Sequence, residues 1–158
     1  MKKKIFTFLL FLFLSSCGYE AIYSLKNRAS YAFQISKLEL SGDRQVNLKI
    51  KQILSSYSNP NIAIENGKIF ELKISSDSEK ITTTKNASGD ATKFKNEITL
   101  KVQVSMDRTI ISNFSVTEKF IYNNNSNTSE LRSYENQIKN NLTEAAVDKV
   151  TLKLALIK

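Results

Sequence analysis

The chain has 158 residues, with 23 Lys+Arg against 15 Asp+Glu for a net charge of +8, one cysteine, and neither histidine nor tryptophan. Lacking imidazole and holding a single thiol, it has no His-activated nucleophile and no soft-ligand set for zinc or copper, which argues against an enzyme and leaves no metal or cofactor to expect. The cationic excess points to an anionic partner only where it clusters, because lysine is spread along the chain together with abundant Asn, Ile and Ser.

Lys2, Lys3 and Lys4 open the chain, and Ile5 to Leu14 is an almost unbroken run of Phe, Leu and Ile. About ten apolar residues are too few to cross a bilayer core, which takes roughly twenty, so the run reads as the h-region of an export signal. It ends in Leu14-Ser15-Ser16-Cys17, small residues directly before the only thiol. That ending resembles the bacterial lipobox, which implies removal of Met1–Ser16 and alkylation of Cys17 with diacylglycerol. Two or more acyl chains hold a protein on a membrane where one lets it exchange. Gly18 follows the cysteine where an inner-membrane retention signal has Asp, so the expected location is the outer membrane, facing the periplasm. Residues 17–30 are the lipidated linker, and Tyr19, Ile22 and Tyr23 are expected to cover one end of the core. What remains, residues 31–158, suffices for one domain and not for two.

Ala32 to Leu40 carries Phe33, Ile35, Leu38 and Leu40, an alternation that changes parity midway and predicts a strand with a bulge. Ser41-Gly42-Asp43 breaks it and supplies a helix N-cap. Val46, Ile50, Ile53, Leu54 and Tyr57 then fall on one helical face, with Lys49, Lys51 and Gln52 outward, until Ser58-Asn59-Pro60 stops the helix. Lys68 to Ser76 alternates Phe70, Leu72 and Ile74 with Glu71, Lys73 and Ser75, a strand with one wet face. Glu79 to Lys85 reads as its exposed continuation, and Asn86 to Asp90 as a turn. Phe94, Ile98, Leu100, Val102, Val104 and Met106 share one parity, and Phe114, Val116, Phe120 and Tyr122 another, across a reversal at Asp107-Arg108-Thr109. A polar, flexible loop is expected over Asn123 to Ser129. Glu130 to Leu156 holds no Gly or Pro and places Leu131, Tyr134, Ile138, Leu142, Ala146, Val150 and Leu154 at helical spacing, with Asn136, Lys139, Asn140 and Glu144 off the stripe. Glu97, Asp107 and Glu118 are expected to face water. The order β-α-β-β-β-α predicts an α+β two-layer sandwich, a four-stranded antiparallel or mixed sheet with both helices on one face. The place of the first strand in the sheet stays open.

Cys17 followed by Gly18-Tyr19-Glu20-Ala21-Ile22-Tyr23, the helix start Gly42-Asp43-Arg44, a β-rich middle, and a terminal helix with Tyr134-Glu135-Asn136 and Asn141-Leu142-Thr143-Glu144 resemble the LptE family. These are lipopolysaccharide-assembly lipoproteins, and the alphaproteobacterial type is the nearest likeness. Ser16 departs from the Gly or Ala more usual before the cysteine. The resemblance implies a non-enzymatic protein that plugs the lumen of the outer-membrane β-barrel LptD, helps that barrel fold and assists insertion of lipopolysaccharide into the outer leaflet. Lipopolysaccharide is polyanionic, and Lys80, Lys85, Lys93 and Lys95 flank the turn at Asn86 to Asp90 beside Thr82, Thr83 and Thr84. They are the candidate lipopolysaccharide-binding cluster, against the plainer reading of a solvated, aggregation-resistant edge. Another periplasm-facing lipoprotein, such as a secretin pilotin or a secretion-system collar, is the alternative function. Aromatic and basic residues are not interleaved as nucleic-acid binding requires.

Overall fold

The computed structural model describes residues 33–58 and 67–157. The leader Met1–Ser16, Cys17, the 17–30 linker and the helix stop at Asn59 and Pro60 lie outside them. The strands are β1 (Phe33–Gly42), β2 (Lys68–Lys85), β3 (Ala91–Met106) and β4 (Thr109–Asn123). Helix α1 (Arg44–Leu54) follows β1 and ends in a single 3-10 turn, Ser55–Tyr57, while α2 (Thr128–Leu156) closes the chain. Both helices cover the same face of one mixed sheet, the α+β sandwich expected from the pattern of apolar residues.

The sheet order is β1-β2-β3-β4. Hairpins make β2, β3 and β4 antiparallel, whereas the crossover through α1 returns the chain parallel, so β1 pairs parallel with β2 at the sheet edge. The parity change in β1 is a bulge: the register jumps between Ile35 and Lys37, and the Ser36 hydroxyl donates to the Phe70 carbonyl at 3.2 Å. Without that extra residue, Leu38 and Leu40 would turn away from the helices that Phe33 and Ile35 face. The reversal between β3 and β4 is tighter than the three residues expected. Met106 pairs with Thr109, and Asp107 and Arg108 both take positive φ, 51° and 65°, as a two-residue turn matched to strand twist requires.

Phe70, Leu72 and Ile74 of β2 and Ile98, Leu100, Val102 and Val104 of β3 form the floor of the core. Val46, Ile50, Ile53 and Leu54 of α1 and Ile138, Leu142, Ala146, Val150 and Leu154 of α2 form its roof. Phe33 stacks on Tyr57 at 5.3 Å and tilts against Phe70 at 5.8 Å, which joins β1, the 3-10 turn and β2. The buried stripe of α2 is wider than the spacing of its apolar residues suggests, because this helix packs on the sheet and on α1 together. Val147, Thr143 and Thr151 are therefore buried as well. The two threonine hydroxyls are satisfied within the helix by the carbonyls of Lys139 and Asp148, at 2.7 and 2.8 Å. Tyr134, read as part of the stripe, is 45% exposed because the start of α2 lies beside the sheet's far end.

Lys49 and Glu118, expected to face solvent, and Lys139, expected off the apolar stripe, all make ion pairs. Lys139 of α2 reaches Asp43 at 2.7 Å, Lys49 of α1 reaches Glu144 at 3.4 Å, and Glu118 of β4 pairs with Lys149. Asp43 also caps α1 by accepting from the Val46 amide at 2.9 Å. Burial opposes ionisation of Asp43, but the Lys139 ammonium and the Val46 and Gln45 amides outweigh it and hold the carboxyl below its ordinary range. A carboxyl depressed in the folded state stabilises the fold above its unfolded pKa and loses that contribution as pH falls through the folded value. Urea midpoints of the native chain should therefore drop more steeply below about pH 4 than those of Asp43→Asn, which keeps the cap oxygen but cannot ionise. Parallel acid limbs would remove this ion pair from the account.

Candidate functional site

β1 pairs with β2 only as far as Ser76, so the second half of β2, the first half of β3 and the last half of β4 project as a three-stranded wing. Its tip is built from short-range chemistry. Asn86 closes the β2-β3 turn by accepting from the Ser88 and Asp90 amides at 3.0 and 2.8 Å, and Gly89 supplies the positive φ the turn needs. The asparagine-rich segment after β4, read as flexible, is a hydrogen-bonded clasp. Asn124 donates to the Ala91 carbonyl at 2.8 Å, and Asn125 accepts from the Asn127 amide at 2.9 Å. Asn127 caps α2 through the Ser129 and Glu130 amides while donating its own amide to Glu130 at 2.8 Å, which starts the helix two residues earlier than expected.

Beneath the clasp lies a polar and aromatic network that no linear spacing announces. Glu135 of α2 accepts from Lys80 of β2 at 2.6 Å and from the Tyr122 hydroxyl of β4 at 2.8 Å, while that hydroxyl lies 3.2 Å from the side-chain oxygen of Asn96 of β3. The Lys80 ammonium also sits 4.0 Å over the Phe94 ring, a cation-π contact in a partly dry setting. Tyr122 tilts against Phe94 at 5.8 Å and meets Tyr134 edge-on at 5.9 Å. Burial, and then the Glu135 carboxylate, push the Tyr122 phenol well above its ordinary range, so it remains a hydrogen-bond donor at any physiological pH.

The four candidate lysines are divided by this arrangement. Lys80 belongs to the helix-covered face and is spent on Glu135 and Phe94. Lys93 and Lys95 have the opposite parity to buried Ile98 and lie on the uncovered face, where Lys95 pairs with Glu97 at 2.7 Å. That contact holds the Glu97 carboxyl below its ordinary range despite a small opposing effect of burial. Lys85, at the end of β2, and Lys93 have no carboxylate partner among the described residues. They are the cations that remain free to meet an anion.

Lys93 also lines an open groove of about 800 Å³ at the tip. Phe120, Ile121 and Tyr134 give the groove its apolar surface, and Asn123, Asn124 and Asn125 give it amides. Phe120 has the parity of core residues, yet it is 45% exposed because it sits at the sheet edge where α2 does not cover it. Aromatic faces next to amide and ammonium donors suit a ligand with both apolar surface and hydroxyl or phosphate oxygens. The uncovered sheet face continues from this groove as polar rungs. Thr99 and Thr117 share a hydrogen bond at 3.0 Å, Glu79, Glu97 and Lys119 form one row, and Ser75, Lys101 and Ser115 another. No group of acids and cysteines that could hold a metal occurs among the described residues, and none of their helices is long and apolar enough to cross a membrane.

Solved bacterial lipoproteins share this fold. Rare lipoprotein B from Shewanella oneidensis matches with a TM-score of 0.54 at 16% identity, over 75% of this chain and 93% of that one. A minor lipoprotein from Acinetobacter baumannii matches with a TM-score of 0.55 at 14% identity, over 78% and 92%. An uncharacterized lipoprotein B from Nitrosomonas europaea matches with a TM-score of 0.56 at 9% identity, over 78% and 83%. At these identities the likeness is one of fold. No protein-family model matches the chain, and no curated protein matches it by sequence.

Proposed function

We propose that this chain is an outer-membrane lipoprotein of the LptE type, anchored by acyl chains on Cys17, that plugs an LptD-like β-barrel, assists its folding and helps lipopolysaccharide enter the outer leaflet. The observation that carries the proposal is the agreement of two independent features: a lipobox-like start, and a domain whose fold recurs in bacterial lipoproteins over nearly their whole length. The role is one of surface and shape, with no reactive side chain. A barrel lumen is polar, and the uncovered sheet face presents hydroxyls, amides and charges of both signs that can be matched to it strand by strand. The wing tip is the part that meets lipopolysaccharide, with Lys85 and Lys93 toward phosphates and the aromatic groove toward sugar faces. Lys80 supports that surface from behind, and Lys95 contributes less because Glu97 compensates it.

Affinity purification of the native protein from detergent-solubilised outer membranes tests the proposal. A stable complex with a large β-barrel is the expected result, and recovery with a ring-forming secretin, or with no barrel, overturns it. Lipopolysaccharide binding by the purified protein at low salt should fall about tenfold or more in the double variant Lys85→Glu, Lys93→Glu, since each reversal replaces an attraction by a repulsion. Unchanged affinity would discard the tip as the contact.

A further inference from the structure

β4 is one edge of the sheet, and its outer side carries a row of backbone groups with nothing to bond. The Asn124 amide donates to the Thr92 carbonyl at 2.9 Å, which makes the neighbouring Lys93-Asn123 pair a non-hydrogen-bonded one. From there the register with β3 runs without interruption to Ser112. Even-numbered residues therefore bond to β3, while the odd-numbered ones from Asn113 to Asn123 point their N–H and C=O groups outward. None of those outward groups has a hydrogen-bond partner among the described residues. The opposite edge is guarded. β1 is ten residues long, is bent by the bulge at Ser36 and carries the Lys37-Glu39 ion pair at 2.8 Å, devices that discourage strand pairing. β4 has fifteen residues, no proline, one irregularity near its start at Ile111, and only the adjacent Glu118 and Lys119 as charges. It also holds four exposed large hydrophobic residues, Ile110, Ile111, Phe120 and Ile121, more than any other element of the described residues.

We propose that β4 pairs antiparallel with β4 of a second copy of this chain, joining two four-stranded sheets into one across a two-fold axis. Pairing over the full strand, Thr109 to Asn123, centres that axis on Val116. The contacts follow from this register. Ile111 lies opposite Ile121 of the second copy, so the exposed apolar residues at the two ends of the strand cover each other. Glu118, which pairs with Lys149 in its own domain, lies opposite Phe114 of the second copy. The Lys153 ammonium sits 5.1 Å over that Phe114 ring and has no carboxylate partner among the described residues, so the pairing brings one toward it. Lys119 meets Asn113 and keeps Glu97 beside it in its own sheet. Axes two or three residues further along would set Glu118 against Glu118 or Lys119 against Lys119, like charges directly opposed. The pairing needs only the described domain, so it stands or falls apart from the LptE-type reading.

Sedimentation equilibrium of the purified chain tests this, with Cys17→Ser so that neither an acyl group nor a thiol can link two copies. A monomer-dimer equilibrium is the expected result. Asn113→Pro should weaken it about tenfold or more, because proline removes an outward N–H from each strand of the seam without breaking a bond to β3. Circular dichroism establishes that the variant is folded. Nitroxide labels on single cysteines in the same background read the register separately. Labels at Thr117→Cys should lie about 10 Å apart across the axis and broaden the spectrum, whereas labels at Asn123→Cys should lie about 50 Å apart and leave it sharp. If Asn113→Pro does not fold, the label distances decide alone. Three outcomes overturn the proposal: a chain that stays monomeric at every concentration reached, which leaves the edge to a strand of another protein; a dimer that the folded Asn113→Pro variant forms equally well, which assigns association to another surface; or labels that approach at Asn123 and not at Thr117.

Discussion

Replacing Gly42 with alanine should cost the domain at least about 3 kcal/mol, a large part of the 5–15 kcal/mol that typically holds a domain of this size together. Gly42 ends β1 with φ at +98°, and a Cβ there would lie 1.8 Å from the Ser76 carbonyl oxygen. That oxygen is backbone and cannot swing aside. It also accepts from the Asp43 amide at 3.2 Å, and the Ser76 hydroxyl donates to Asn47 at 2.8 Å, so β2 grips the strand-helix junction at the point where the methyl would intrude. Displacing the junction would also disturb the Asp43 cap and its ion pair with Lys139. Gly89→Ala is the control. Its φ is nearly the same, +91°, but nothing lies within 4 Å of the added carbon, so only the backbone strain of about 1 kcal/mol should appear. Urea unfolding of the two variants, with unchanged m values, separates contact from strain. Equal midpoints would mean that the junction can relax and that the clash does not matter.

The second large effect is expected at Phe70, where alanine should cost about 3–5 kcal/mol through lost burial and the cavity left behind. Phe70 is 0% exposed and lies under Phe33, which is itself stacked on Tyr57, so the neighbours that would have to close the void are held by β1 and the 3-10 turn. Phe120→Ala makes the comparison, since both residues occupy the apolar parity of their strands. With 45% of Phe120 exposed, its loss should cost about 1 kcal/mol or less. Thermal or urea midpoints decide it, and similar costs at the two positions would place Phe120 in the core.

These two phenylalanines mark how far pattern reading reaches. Period two in β2 and β3 and period 3.6 in α1 and α2 are local, and together with the parity change in β1 they mark the strands, both helices and the bulge within the sequence itself. Gly42-Asp43 was legible as a strand end and helix cap because that chemistry also lies within a few residues. Phe120 was not legible as exposed, because its parity matches the core and only the lateral position of α2 leaves it bare. Lys80 and Lys95 looked alike in a short basic segment, yet one is tied to Glu135 beneath the sheet and the other to Glu97 above it. A strand sends neighbouring side chains to opposite faces, and only knowing which face the helices cover assigns roles to each.

The asparagine-rich segment after β4 shows the same boundary from the other side. Its composition reads as loop, and a loop it is, but its amides find the Ala91 carbonyl and the start of α2 only because the β2-β3 turn and the end of β4 meet at the wing tip. The Tyr122-Glu135-Lys80 network likewise draws on positions 13 and 55 residues apart, a separation that no periodicity encodes.

The order of residues alone determined the expectation of a lipobox-like start and of an α+β pattern without histidine chemistry, because signal, parity, caps and composition are all written in neighbours along the chain. The tertiary structure decided that β1 lies parallel at the edge, that two of four candidate lysines are already engaged, and that exposed apolar side chains collect at two opposite ends. Those outcomes depend on which distant segments pack together, and packing partners are selected by the whole core and not by any single stretch.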